Sequence, residues 1–258
     1  MRVLYVNHTA TVSGGERSLL GLLRALPDTV AALVATPPGA LAEAVAQLGI
    51  ATTPILATAG SLRLHPLHTP RTVAELGLAG LQVRRAARRH EAELVHANSI
   101  RAGISLALGR PLGCASVVHV RDCLPPGALT SATLRLIAAS ATTVLANSRY
   151  TANSVLAVAP RAHVEVVHNA VDTQRFDPER IDRERARAAL GEAGRHELLL
   201  GVVAQLTPWK GQATAVEALR LLCAEGIDAQ LLLIGSAKFV ASATRLDNNA
   251  YVAALHAR

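Results

Sequence analysis

Short apolar runs, set apart by stretches long enough for a helix, constrain this chain more than any other feature. Runs at 2–6, 31–36, 52–56, 94–97, 116–120, 142–146 and 164–167 are rich in Val, Leu and Ala, without regular polar alternation. Strands buried on both faces read this way, and such strands belong to parallel sheets. Between them, 16–26, 41–48, 73–90 and 148–158 space their apolar residues as helices do. Strand–helix alternation predicts an α/β fold with helices covering a parallel sheet.

The pattern changes after residue 167. His168-Asn169-Ala170-Val171-Asp172 is polar and turn-prone, and a charged run at 179–187 follows. A new strand starts near Leu198, followed by a helix at 213–224, a strand at 230–234 and a helix near Asn249. The expected organisation is a Rossmann-like domain at 1–170, a linker at 171–196 and a partial second Rossmann-like domain at 197–258. Two strands rarely form a stable independent sheet, so the second unit reads as incomplete.

Composition narrows the function classes. Formal net charge is +7, and Lys210 and Lys238 are the only lysines. The basic residues are scattered and aromatics make up 2% of the chain, which argues against nucleic-acid binding. Arg84-Arg85 and Arg88-Arg89 share one predicted helix. The net positive charge suits either base composition and solubility or attraction to phosphates or an anionic membrane surface. The apolar run 131–146 is broken by Arg135, so no segment reads as a membrane span. Cys114, Cys123 and Cys223 are odd in number and widely spaced, as expected of a reducing cytosol. The first residues do not read as a signal peptide. No G-x-G-x-x-G, no G-x-S-x-G and no metal-ligand spacing is present.

Candidate site residues lie where predicted strands end. Gly14 and Gly15 join the first strand to its helix, where free N–H groups and bare backbone suit a phosphate. The same residues also fit a plain tight turn with Ser13 as helix cap. His119, at the carboxyl end of its strand and followed by Arg121 and Asp122, is either a substrate hydrogen-bonding group or a satisfied core histidine. His8 and Asn98 end two other strands. Lys210 precedes Gly211 after a buried strand and is either a diphosphate partner or a solvated lysine. Trp209 is expected to pack beneath that loop. Asn147-Ser148 reads as a helix start, and Asn169 and Asp172 as turn residues.

Taken in order, these segments resemble the retaining GT-B glycosyltransferases of the group 1 family. Ser13-Gly14-Gly15-Glu16-Arg17-Ser18-Leu19-Leu20 is similar to its glycine loop. The stretch from Val144 to Ala152, the stretch from Val166 through Asp172 to Phe176-Asp177-Pro178, the stretch from Thr207 through Lys210-Gly211 to Ala218, and Leu231-Leu232-Leu233-Ile234-Gly235 follow in the family's order. The resemblance implies a GT-B fold and transfer of a sugar from a nucleotide-sugar donor to a glycan or lipid-linked acceptor, often in the cell envelope. It implies no bound metal and no cofactor beyond the co-substrate. Gly14 and Gly15 would meet the donor, His119 the transferring sugar, and Lys210 the departing diphosphate. His8, Asn98, Arg121 and Asp122 would lie on the acceptor side.

Departures shape the expectation. Ser13 replaces the loop's first glycine, Ala170 the hinge glycine, and Gln205 an arginine that would contact the diphosphate. The family's paired glutamates would fall past Arg258. The chain is therefore expected to be a truncated member with impaired activity. A non-catalytic nucleotide-sugar or partner-binding protein on this scaffold, or a nucleotide-sugar epimerase, are the alternatives.

Overall fold

The computed structural model describes residues 1–58, 69–109, 113–191, 195–237 and 248–257. They form two compact units, Met1–Val171 and Asp172–Arg258.

In the first unit, seven strands make one parallel sheet: β1 (Arg2–Val6), β2 (Ala31–Thr36), β3 (Ala51–Pro54), β4 (Leu94–Ala97), β5 (Ala115–Val120), β6 (Thr143–Ala146) and β7 (Val164–Val166). Their order is β3-β2-β1-β4-β5-β6-β7. The chain winds outward from β1 to β3, then returns to place β4 on the other side of β1. That reversal falls between β1 and β4, and α/β sheets place ligands beyond the carboxyl ends of strands at such a point.

Alternate strand residues feed two cores. Val3, Tyr5 and Val34 pack with Leu19, Leu20 and Leu23 of α1 (Gly14–Arg24) and with Leu41 and Val45 of α2 (Ala40–Ala46). Leu4, Val6, Val95, Val118 and Val144 face the opposite core. There they meet α3 (Thr69–Arg89), α4 (Ile100–Gly109), α5 (Ala128–Ser140) and α6 (Arg149–Leu156). Ser148 caps α6 by accepting from the Thr151 N–H at 3.1 Å, as its residue type suggests.

The sequence reading passed over α4 and α5. Ile100, Ala102, Gly103, Ile104, Ser105 and Leu106 of α4 are all buried, so no polar face marks its helical period. Buried glycines make this possible. A Cβ on Gly109 would lie 2.1 Å from the Gly80 carbonyl oxygen, and one on Gly80 would lie 2.6 Å from that of Ser105. The backbones of α3 and α4 touch directly.

The second unit pairs β8 (Leu198–Val203) with β9 (Ala229–Ile234) in parallel. Among the described residues three α-helices accompany them: α7 (Arg183–Ala189), α8 (Gln212–Ala224) and α9 (Asn248–His256). Its most deeply buried side chains are polar: Thr207, Gln212 and Asn248. Tyr251 donates to Gln212 at 3.3 Å, and Gln212 donates to the Gln205 carbonyl at 2.8 Å. Trp209 does not pack under its loop but is 61% exposed. It sits in a 3-10 turn, Pro208–Lys210, that is closed by Gly211 at φ +75°.

Gly80→Ala or Gly109→Ala is expected to cost about 2 kcal/mol or more, since neither backbone can yield to a methyl group. Gly77→Ala, with nothing within 4 Å of its Cβ, should cost nothing and serves as the control. Urea unfolding followed by circular dichroism measures all three.

Candidate functional site

The carboxyl ends of β1, β4, β5 and β6 converge with the start of α1. Gly14 and Gly15 are not loop residues but the first turn of that helix, with Ser13 as its N-cap. The Glu16 carboxylate accepts from the Ser13 backbone N–H at 3.1 Å and also from the Ser13 hydroxyl. This capping box fixes the helix start. Glycine at position 15 leaves room beside Arg121, whose Cδ would lie 3.6 Å from an added Cβ.

Arg121, just past β5, organises the cluster. Its guanidinium donates to Ser18 Oγ at 3.0 Å, to Asn98 Oδ1 at 3.0 Å and to Asn169 Oδ1 at 2.8 Å. Asn98 Nδ2 donates to Asn7 Oδ1 at 3.0 Å and to the Gly15 carbonyl at 3.2 Å. Asn147 Nδ2 donates to the Arg121 carbonyl at 3.0 Å. Arg121 Nε is buried without a hydrogen-bond partner.

His119 lies two residues before Arg121, on the same face of β5, and is 6% exposed. Its Nε2 is buried and has no hydrogen-bond partner. Its ring stacks on His96 at 6.0 Å, and His96 meets Tyr5 at 5.4 Å. Burial, then the Arg121 charge and His96, push the His119 pKa down to about 3. Burial and Arg121 bring His96 to about 4. His8 accepts from or donates to Ser99 Oγ at 2.9 Å. Burial and Arg101 lower it to about 4, with Glu16 acting the other way. All three rings are neutral near pH 7. They can exchange hydrogen bonds there, but they do not carry charge.

The structure thus brings Gly14, Gly15, His8, Asn98, His119 and Arg121 to one sheet edge. Asp122 is exposed and contributes only through its charge, which opposes the burial shift of Arg121. Gln205 and Lys210 belong to the second unit, where Lys210 is exposed. Sequence reasoning missed Asn7, Glu16 and Ser18 as members of the cluster, and it took Asn169 for a turn residue. For Asn7, the available signal was its place at the end of the strand beside the order reversal. Asp172 does behave as a turn residue, accepting from the N–H groups of Gln174 and Arg175.

Among the described residues no group of three His, Cys, Asp or Glu side chains is placed to hold a metal ion. No described helix is long and apolar enough to cross a membrane.

The sequence profile of Glycosyltransferase Family 4 matches residues 12–175. No curated protein matches the chain. Among solved structures, Anabaena Alr3699/HepE in complex with UDP and glucose aligns at a TM-score of 0.73 and 23% identity, covering 100% of this chain and 65% of that one. A glycosyltransferase from Rickettsia africae aligns at 0.67 and 17%, covering 99% and 65%. Sucrose-phosphate synthase from Thermosynechococcus elongatus aligns at 0.63 and 14%, covering 99% and 66%. The chain spans about two-thirds of the length of these GT-B structures. At such identities the likeness concerns the fold.

Folding favours neutral His8, His96 and His119, while the unfolded chain's histidines titrate near 6.5. Their contribution is therefore intact above pH 6.5 and is lost as pH falls toward 4. For His96 alone the shift corresponds to about 3 kcal/mol. Amide exchange in β1, β4 and β5 is expected to accelerate steeply across this window. The His96→Gln/His119→Asn double variant should flatten the profile.

Proposed function

Because the chain belongs to Glycosyltransferase Family 4, we propose that it is part of a retaining enzyme that moves a sugar from a nucleotide diphosphate donor to a glycan or lipid-linked acceptor. Its fold is of the GT-B type. In this reading the bond from the anomeric carbon to the diphosphate oxygen breaks. The acceptor oxygen bonds on the same face, and its proton leaves with the diphosphate. Residues 1–170 hold the acceptor side and 197–258 contribute donor contacts.

The observation that carries the proposal is the unpartnered Nε2 of neutral His119, in the cluster that holds Gly15 and Arg121. A buried nitrogen without a partner is costly unless a ligand satisfies it. A sugar hydroxyl offers the matching hydrogen bond. The N–H groups of Gly14 and Gly15 and the Arg121 charge suit a diphosphate or the polarised sugar. Lys210 neutralises the leaving diphosphate, with Gln205 in the place of a second cation. With this positive charge supplied by side chains and helix, the reaction needs no resident metal or cofactor. HepE, solved with UDP-glucose, makes a uridine donor the first to test. Reaction at the cytoplasmic face, with peripheral contact to an anionic membrane, fits a lipid-linked acceptor.

The test follows radiolabelled sugar from UDP-glucose and other nucleotide sugars into lipid-extractable or polymeric product. His119→Ala should reduce transfer by about a hundredfold or more while leaving nucleotide binding little changed. Lys210→Ala should reduce it by about tenfold or more. EDTA should leave the rate unaltered. Transfer unaffected by His119→Ala removes the assigned role. Nucleotide binding without any transfer supports the non-catalytic alternative.

A further inference from the structure

The paired arginines noted in the sequence lie on α3, and their setting is unlike an ordinary solvated helix end. The exposed residues Ala74, Leu78, Leu81, Arg85 and Arg88 recur at spacings of four and three along α3, which places them in one stripe. The stripe is apolar in its first half and basic in its second. Leu78 and Leu81 are 55% and 49% exposed, and Val73 on the adjacent row is 56% exposed. Leu108, next to the Gly109 that meets Gly80, is also exposed.

Among the described residues, none of the side chains of Arg84, Arg85, Arg88 and Arg89 has a hydrogen-bond or ion-pair partner. The carboxylates that follow the helix are engaged elsewhere. Glu91 pairs with Arg2 at 3.3 Å, and Glu93 accepts from the Arg2 N–H at 2.7 Å. A groove of about 360 Å³ runs between α3 and the edge strands, lined by Leu33, Thr53, Pro54, Gln82, Arg85 and Arg89 among others. Gln82 is committed to the Leu56 N–H at 2.7 Å, and His90, also on the groove, to the Ala31 carbonyl at 3.1 Å. Arg85 and Arg89 remain its uncommitted charges.

We propose that this face of α3 docks on an anionic bilayer. Leu78 and Leu81 enter the boundary between headgroups and acyl chains, while Arg85, Arg88 and Arg89 hold lipid phosphates, one of them at the groove. A bilayer fits because it offers hydrocarbon and phosphate at adjacent depths, as a stripe that turns from apolar to basic requires. The inference rests on the membrane contact in the proposed function and names the surface that makes it.

Co-sedimentation of the whole chain with vesicles of phosphatidylcholine, alone or mixed with phosphatidylglycerol, tests it. Binding is expected only with the anionic lipid and should fall by about 25-fold in Arg85→Glu/Arg89→Glu, taking about fivefold for each arginine lost. Leu78→Gln/Leu81→Gln should weaken it as well. Arg183→Glu/Arg185→Glu on α7, which makes the same change in net charge elsewhere, should bind like the parent. Equal losses in the α3 and α7 variants would reduce the effect to net charge and overturn the proposal. So would absence of vesicle binding, saturable binding of glycerol 3-phosphate without vesicle binding, or loss of self-association as the sole effect of the leucine changes. Nucleotide binding by the same variants keeps a failure here separate from a failure of the sugar-transfer reading.

Discussion

Arg121 reaches three neutral oxygens, one each from Ser18, Asn98 and Asn169, and no carboxylate. It thereby ties the end of β5 to α1, to the end of β4 and to the segment after β7. Neutral partners satisfy a guanidinium's geometry without cancelling its charge. The field therefore stays at the sheet edge, and it contributes to holding His119 and His96 unprotonated. One half-buried cation accounts for both the shape of this edge and its electrostatics.

Glu16 acts on that cation through its charge, while its carboxylate closes the capping box with Ser13 and so serves the helix start. The donor groups of Gly14 and Gly15 then lie next to a positive field, an arrangement suited to an anion. Asn98, bridging Asn7 and the Gly15 carbonyl, holds the strand ends on either side of the order reversal in register with the helix.

The rest of the first unit supports this edge from behind. Gly80 and Gly109 let α3 and α4 meet backbone to backbone, so α3 turns one side fully to α4 and the sheet. The side left over is the stripe of leucines and arginines. The packing constraint that orders the core therefore also determines which residues of α3 reach solvent.

Predicted strands matched the observed ones to within a residue or two at most ends, because strands buried on both faces write unbroken apolar runs into the chain. Helices with a polar face, such as α1 and α3, were equally legible. Helix α4 was not, because a helix buried on most of its sides loses its period, and the glycines that bury it have meaning only opposite each other. At the site, Gly14, Gly15, His8, Asn98, His119 and Arg121 could be singled out by residue type and by their place at or just past strand ends. The cluster could not, since Asn7, Ser18, Asn98, Arg121 and Asn169 are far apart in sequence and meet only through strand order. The sequence by itself determined the α/β layering and the supply of polar residues at the strand ends. The tertiary structure alone decided which of them share hydrogen bonds and which histidines lose their charge, because contacts and desolvation depend on neighbours that chain order does not reveal.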